Sequence, residues 1–135
     1  MSLSESIEDY LEAILVLNLE KGYCRSVDIA RHLDVTRASV SRAIAQLQQK
    51  GYVCLNQDNF ISLSVAGYAI ASSVYERHCC LTRWLVAVGV SPEVASKDAC
   101  RIEHVISDET FACLKLASQR SILHSPPHIS FDTES

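Results

Sequence analysis

The chain has 135 residues, of which 48% are hydrophobic and 21% charged, and its formal net charge at pH 7 is −4. This length suits one or two small units with a real core, and no apolar run approaches the roughly 20 residues that span a bilayer. The N-terminus MSLSESIEDY lacks the basic and apolar regions of a secretory signal, so we expect a cytoplasmic protein. The negative net charge argues against a protein that coats nucleic acid nonspecifically.

The six cysteines would suit a disulfide framework only in a secreted chain that is short of apolar residues. This chain is patterned as helices and has enough apolar residues for a core, so we expect most cysteines to be reduced, buried small side chains. The sequence has no CxxC pair for a structural zinc site. The neighbours Cys79 and Cys80 cannot both point at one metal from a helix.

Residues 4 to 20 predict the first helix, because apolar residues recur at helical spacing behind Ser4, a candidate N-cap. The pair GY at 22 and 23 ends the pattern. Asp9 and Glu12, three residues apart, share the polar side of this helix. Paired carboxylates on a helix more often form a solvated face than a binding site.

The next segment predicts a helix-turn-helix, with a short helix at about 26 to 33 and a second from Thr36 to Lys50, ended by Gly51. Residues 36 to 50 contain three basic residues and no acidic one, which favours selective contact with DNA. The start of the second helix would enter the major groove, where arginine can read guanine with two hydrogen bonds. The predicted DNA-contact residues are Thr36, Arg37, Ser39, Ser41 and Arg42.

After Gly51 the apolar period changes to two, and the runs YVCL and FISL flank the turn-prone quartet NQDN. These runs predict a small β-hairpin. Directly after a helix-turn-helix, such a hairpin forms a wing that can lie over the DNA backbone.

The rest of the chain predicts three helices, at 64 to 88 with an interruption at Gly67, at about 93 to 105, and at about 108 to 123 behind Ser107. The Pro-Pro and polar composition from 125 to 135 is typical of a frayed tail. We therefore expect a mainly α fold with a winged helix-turn-helix domain at 1–63 and an all-helical domain at 64–124. The surplus apolar surface of these helices favours a homodimer with two-fold symmetry.

The segment DACRIEHVISDE, residues 98 to 109, groups three metal-ligand chemistries on one helix. At about 100° per residue, Cys100, Glu103 and His104 share one arc of this helix. We expect the opposite arc to be the apolar one, formed by Ala99, Ile102, Val105 and Ile106. His78, in ERHCC, is by itself more often a partly buried helix residue than a ligand.

Four segments, in this order, resemble the diphtheria-toxin-repressor family of metal-dependent transcriptional regulators, including its manganese-transport branch. They are SIEDYLEAI, DIARHLDVTRASVSRAIAQLQQKGYV, ISLSVAGYAIASSVYERH and DACRIEHVISDE, and the likeness runs from about residue 4 to 123. The resemblance implies a homodimer that binds double-stranded, palindromic operator DNA. It also implies a metal site where the DNA-binding and dimerisation domains meet.

When the metal ligands of the manganese branch are transferred position by position, the resemblance places them on six residues of this chain, one of which is a cysteine. The implied ligands are Asp9, Glu12, His78, Cys100, Glu103 and His104. The manganese branch has Glu where this chain has Cys100, and the iron branch has Cys there but Met in place of Asp9. The implied site is thus a hybrid of the two branches.

Two further features of the iron branch are not expected in this chain. Its ancillary metal site falls on Thr82 and Lys97, which cannot replace the acidic and imidazole ligands. Its SH3-like domain is not expected either, because the chain ends at residue 135.

We therefore expect a repressor activated by Mn²⁺ or Fe²⁺, with Zn²⁺ or Co²⁺ binding in vitro, that controls metal-homeostasis genes. One alternative is a thiol-based redox regulator on the same winged helix, which would explain Cys79, Cys80 and Cys100 but not the Asp, Glu and His residues. Another is a zinc hydrolase with Glu103 as base, for which the chain lacks an HExxH motif. We expect neither an enzyme nor a binder of small-molecule substrates.

Overall fold

A computed structural model describes residues 4 to 120 of the chain. The chain forms two compact units, divided between Val74 and Tyr75. The predicted tail at 125–135 and the last three residues of the predicted final helix, 121–123, lie outside the described residues. The predicted domain boundary at 63/64 stays a prediction.

Helix α1 spans Glu5–Lys21, and both of its ends follow from local sequence. The Ser4 side chain accepts the Ile7 backbone N–H at 3.2 Å, which satisfies one of the amides that lack a partner at a helix start. Gly22 ends the helix in the left-handed region at φ +82°, and its N–H is donated to the Asn18 carbonyl. The predicted limits, 4 and 20, are therefore correct to within one residue.

Helices α2, Ser26–Leu33, and α3, Arg37–Gln49, form the predicted helix-turn-helix. Asp34 adopts the left-handed conformation at φ +56°, which turns the chain sharply between the two helices. Asp28 is buried near the start of α2 and accepts the Arg25 backbone N–H at 3.0 Å and the Lys21 ammonium at 3.0 Å. Burial alone would raise the pKa of Asp28, but Lys21, the Arg25 amide and Arg31 together hold it below its usual value.

The predicted wing is an antiparallel hairpin of β1, Val53–Leu55, and β2, Ile61–Leu63, with Cys54 opposite Ser62. In the connecting turn, the Asn56 side chain accepts two backbone N–H groups, as is usual for Asn in turns. The Ile61 N–H is donated to the Cys24 carbonyl at 2.7 Å, so the hairpin is bonded to the segment between α1 and α2.

The core of the first unit lies between α1, the helix-turn-helix and the wing. Its largest fully buried side chains come from all of these elements: Leu11, Ile14, Ile29, Val40, Leu47 and Ile61. At about 25 cal/mol per Å² of apolar surface, such burial is the main force that holds the wing and α3 in place.

Helix α4 spans Val65–Ala87 and is continuous, so the predicted interruption at Gly67 is wrong. Gly67 is present for a steric reason: a Cβ built there would lie 2.0 Å from the Tyr52 carbonyl oxygen. Glycine allows this carbonyl to approach the helix closely.

Helices α5, Pro92–Val105, and α6, Asp108–Gln119, complete the described part of the second unit, which contains only helices. Ser91 and Ser107 cap their starts, as expected from the sequence at Ser107. The core of this unit contains Cys80, Leu81, Trp84, Ala99 and Phe111. The predicted fold class, a winged helix-turn-helix followed by helices, is confirmed.

All six cysteines are free thiols, which agrees with the prediction that they are reduced. The expectation that most are buried is wrong, because Cys54, Cys100 and Cys113 are exposed. These three occupy outward positions on a strand and two helices. Among the helices described, none is long and apolar enough to cross a membrane.

Candidate metal centre and nucleic-acid interface

The second unit brings together three of the predicted metal ligands. His78 lies on α4, and Cys100 and Glu103 lie three residues apart on α5. The His78 Nδ1 atom is 2.9 Å from Glu103 Oε1 and 3.6 Å from the Cys100 sulfur. One donor atom from each residue lies within 4.8 Å of the other two. An imidazole, a thiol and a carboxylate from the implied ligand set thus lie close together.

Glu103 is the most unusual of these residues, because it is only 2% exposed. Its Oε1 atom contacts His78, but its Oε2 atom is buried without a hydrogen-bond partner among residues 4–120. A buried carboxylate oxygen without a partner is costly, and a bound cation would satisfy it. The donors present therefore fit a divalent metal ion.

His104 adds a fourth possible donor, a ring nitrogen, next to this carboxylate. Its Nε2 atom is 3.4 Å from Glu103 Oε2, and its side chain is almost fully buried. His104 follows Glu103 directly on α5, so the two side chains leave the helix about 100° apart and reach the same region from different directions.

The electrostatics of the cluster favour a positive charge between α4 and α5. Hydrogen bonds to Cys100 and to Glu103 raise the pKa of His78 to about 10, against the opposing effect of burial. The neighbouring thiol and carboxylate thus favour the protonated form of the imidazole. A metal ion would replace that proton, since metal ligation requires the neutral imidazole.

The predicted division of α5 into an apolar and a polar arc is partly wrong. Glu103 is buried, whereas Val105, assigned to the apolar arc, is 79% exposed. At about 100° per residue, Glu103 lies only about 40° from the buried Ala99, but Val105 lies about 120° from it. The carboxylate therefore belongs to the inward face, and burial around it contributes to the site.

Asp9 and Glu12 lie on α1, in the first unit, and both are half-buried. They are three positions apart, so they lie on the same side of the helix as predicted. Their participation in a site with α4 and α5 stays a prediction.

At the two positions where the iron branch has ligands of its ancillary metal site, this chain has no suitable metal ligands. Thr82 is on α4 and its hydroxyl is buried without a hydrogen-bond partner in the described part of the chain, while Lys97 is exposed on α5. A hydroxyl and an ammonium do not replace carboxylate and imidazole ligands.

The start of α3 carries the predicted DNA-contact residues. Thr36 caps the helix by accepting the Ser39 N–H at 3.1 Å, and its hydroxyl donates to Ser39 Oγ at 2.9 Å. Arg42 also donates to Ser39 Oγ, at 3.4 Å. Arg37, Ser41 and Arg42 are exposed. The cap thus orders the first turn, and the two arginines extend from an exposed helix face.

Sequence reasoning missed Arg77, which precedes His78 on α4. Arg77 contacts residues 106 and 108, about thirty positions further along the chain. Its opposite charge to Asp108 was the only sequence signal, and charge alone does not identify a partner at that distance.

Comparison with known protein families matches the two parts of the chain separately. Residues 2–59 match the N-terminal DNA-binding domain of iron-dependent repressors, and residues 64–120 match their metal-binding and dimerisation domain. The chain belongs to the iron-dependent repressor family. It is thus a metal-dependent transcriptional repressor and not an enzyme, as the sequence analysis predicted.

Two relatives named MntR support membership in the iron-dependent repressor family. The transcriptional regulator MntR of Escherichia coli O6:H1 is 34% identical over 116 residues, which cover 86% of this chain and 75% of MntR. The MntR of Geobacillus kaustophilus is 36% identical over 102 residues, covering 76% of this chain and 72% of the relative.

Among solved structures, IdeR of T. acidophilum superimposes with a TM-score of 0.72 at 28% identity. The match covers 90% of this chain but 55% of that one, so this chain spans about half of the IdeR chain. The likeness confirms the winged helix-turn-helix and the helical unit that follows it.

Proposed function

We propose that this protein is a homodimeric repressor that binds palindromic operator DNA when it carries Mn²⁺ or Fe²⁺, and that it controls genes of metal homeostasis. The observation that carries the proposal is the convergence of His78, Cys100 and Glu103, with one buried oxygen of Glu103 that makes no hydrogen bond within the described residues. It would act in the cytoplasm, where the DNA is.

The proposed ligand set is the one implied by the resemblance to the diphtheria-toxin-repressor family. His78, Cys100, Glu103 and His104 supply donors from α4 and α5, and Asp9 and Glu12 supply hard oxygen donors from α1. A metal held by all three helices would favour one arrangement of the DNA-binding units. DNA would then bind the metal-loaded dimer more tightly, and the coupling in such systems is typically a few kcal/mol.

The mixed donors also bear on the choice of metal. Thiolates favour iron(II), cobalt and zinc, whereas carboxylates suit manganese, and manganese is the weakest binder in the general affinity series. Selectivity would therefore depend on which metal produces the activating arrangement and on what the cell supplies.

In the proposed complex with DNA, α3 would make the main contacts. The exposed Arg37, Ser41 and Arg42, with Thr36 and Ser39 at the capped first turn, would contact bases and phosphates in the major groove. The wing, Val53–Leu63, would lie along the backbone.

The decisive experiment titrates DNA binding with Mn²⁺, Fe²⁺ and Zn²⁺ under anaerobic conditions. A DNA probe is first selected from a random library with manganese-loaded protein, and binding is then followed by fluorescence anisotropy. We expect Mn²⁺ and Fe²⁺ to activate binding, and we expect Glu103→Gln and His78→Ala to abolish activation while the dimer persists in sedimentation.

Cys113→Ala is the matched control, because this exposed thiol lies on α6. A normal metal response in Glu103→Gln would refute the proposed site. A response of metal-free protein to peroxide, without a response to metal, would favour the redox alternative instead.

A further inference from the structure

Arg77 joins the helix that carries His78 to the end of the helix that carries Cys100 and Glu103. Its Nη1 atom donates to the Ile106 carbonyl at 2.6 Å, just beyond the last residue of α5. Its Nη2 atom pairs with the Asp108 carboxylate at the start of α6. Carbonyls at a helix end lack partners within the helix, so this contact satisfies one of them.

The Arg77 side chain is held in place rather than free on the surface. It is only 13% exposed, and its guanidinium carbon lies 5.3 Å from the centre of the Phe111 ring. Phe111 in turn packs against Trp84 in the core of this unit, at 5.7 Å between ring centres. A guanidinium fixed by a carbonyl, a carboxylate and an aromatic face can define the position of the chain that it contacts.

Polar contacts at two points, together with the apolar core of this unit, set how α5 lies against α4. One joins His78 to Glu103, and the other joins Arg77 to Ile106. Glu103 and Ile106 are three residues apart, about 4.5 Å along a helix axis. Two fixed points at that separation restrict both sliding and rotation of α5.

Metal binding would affect these two contacts differently. The His78 nitrogen and the Glu103 oxygen are donor atoms, so a metal would replace the hydrogen bond between them. A guanidinium has no acceptor lone pair and is not a ligand, so the Arg77 contacts would persist. We propose, on the basis of the proposed function above, that Arg77 is a positioning residue for the metal site. Its contacts hold the donor atoms of α5 at the position along the helix axis where they face His78.

An electrostatic role for Arg77 would have the opposite effect. A cation next to a metal ligand repels the metal, so removing its charge should strengthen metal binding if charge is what matters. If position is what matters, removing the side chain should weaken metal binding. The sign of the change therefore separates the two explanations.

The test compares Co²⁺ and Mn²⁺ affinity in full-length wild type, Arg77→Met and Arg77→Lys, measured by competition with a chelator. We expect Arg77→Met to bind both metals about 10- to 100-fold more weakly, the usual effect of losing a group that orients ligands. Its cobalt complex should also differ from wild type in visible d–d absorption. Arg77→Lys keeps one donor for the Ile106 carbonyl and should recover part of the loss.

Lys115→Met is the matched control. The Lys115 ammonium pairs with Glu76 at 2.5 Å, so this variant breaks another link between α4 and α6 but removes no contact of α5. We expect the metal affinity and the cobalt spectrum of Lys115→Met to equal those of the wild type, even if its melting temperature falls as much as that of Arg77→Met.

Wild-type or higher affinity in Arg77→Met would overturn the inference. If that variant does not fold, unchanged affinity and spectrum in Arg77→Lys would overturn it, and weaker binding with an altered spectrum would support it. A wild-type chain that binds neither metal would refute the proposed function itself, and this inference with it.

Discussion

Replacing Gly67 with Ala tests whether the close contact between α4 and the Tyr52 carbonyl governs stability. The new Cβ would lie 2.0 Å from that oxygen, about 1.4 Å short of an ordinary contact of 3.4 Å. The same oxygen accepts the Ser64 N–H at 3.0 Å, so moving it would weaken that bond. Position 67 thus couples the helix start to the segment before the wing.

The magnitude follows from three opposing terms. Overpacking usually costs about 1 to 3 kcal/mol, and a weakened hydrogen bond costs about another 1 kcal/mol. Alanine is favoured over glycine within a helix by about 1 kcal/mol. We therefore expect Gly67→Ala to lower the free energy of unfolding by about 1 to 3 kcal/mol.

Urea unfolding followed by circular dichroism at 222 nm measures this change. Ala69→Gly, at an exposed position on the same helix, measures only the difference in helix propensity between alanine and glycine. It should lower the free energy of unfolding by about 1 kcal/mol. If Gly67→Ala instead stabilises the protein by about the amount that Ala69→Gly loses, the steric argument is refuted.

Three other substitutions test the site, the DNA interface and the first unit. Cys100→Glu should shift activation of DNA binding toward Mn²⁺ relative to Fe²⁺, because it exchanges a soft donor for a hard one; an unchanged ratio would mean that the thiol is a bystander. Arg42→Ala should weaken DNA binding and reduce the slope against log salt by about one, without altering metal affinity; an equal slope would exclude a phosphate contact. Asp28→Asn should cost about 1 to 2 kcal/mol at pH 7, since it loses a charged partner of Lys21. Because the pKa of Asp28 is lowered in the folded state, its stabilising effect is present at neutral pH and lost as pH falls through that pKa, so the difference from wild type in chemical denaturation should shrink toward pH 3. If the difference in stability did not change with pH, the loss would come from packing and not from the charge of Asp28.

The ends of the helices could be predicted because their signals are local. Ser4 and Ser107 accept backbone N–H groups three residues ahead, and Gly22 and Gly51 have positive φ at helix ends. These contacts involve neighbours in sequence, so composition and spacing are sufficient to identify them.

The grouping of Cys100, Glu103 and His78 could also be predicted, but the environment of these side chains could not. The spacing on α5 indicated that Cys100 and Glu103 point the same way, and the resemblance added His78. The burial of Glu103 depends on packing around α5, and the contact of Arg77 with Ile106 joins distant segments. Gly67 looked like a break in the helix, because nothing local identifies Tyr52 as its neighbour.

If a metal ion binds at the buried Glu103 oxygen that makes no hydrogen bond, metal sensing and the lifetime of the protein would be linked. A ligand that binds only the folded chain stabilises it by RT ln(1 + [L]/Kd), about 2.7 kcal/mol at one hundred times Kd. Degradation in cells often follows the population of opened molecules, so scarcity of metal would both release the operator and shorten the half-life of the repressor. The amount of regulator in the cell would then depend on how much metal the cell had recently been supplied with.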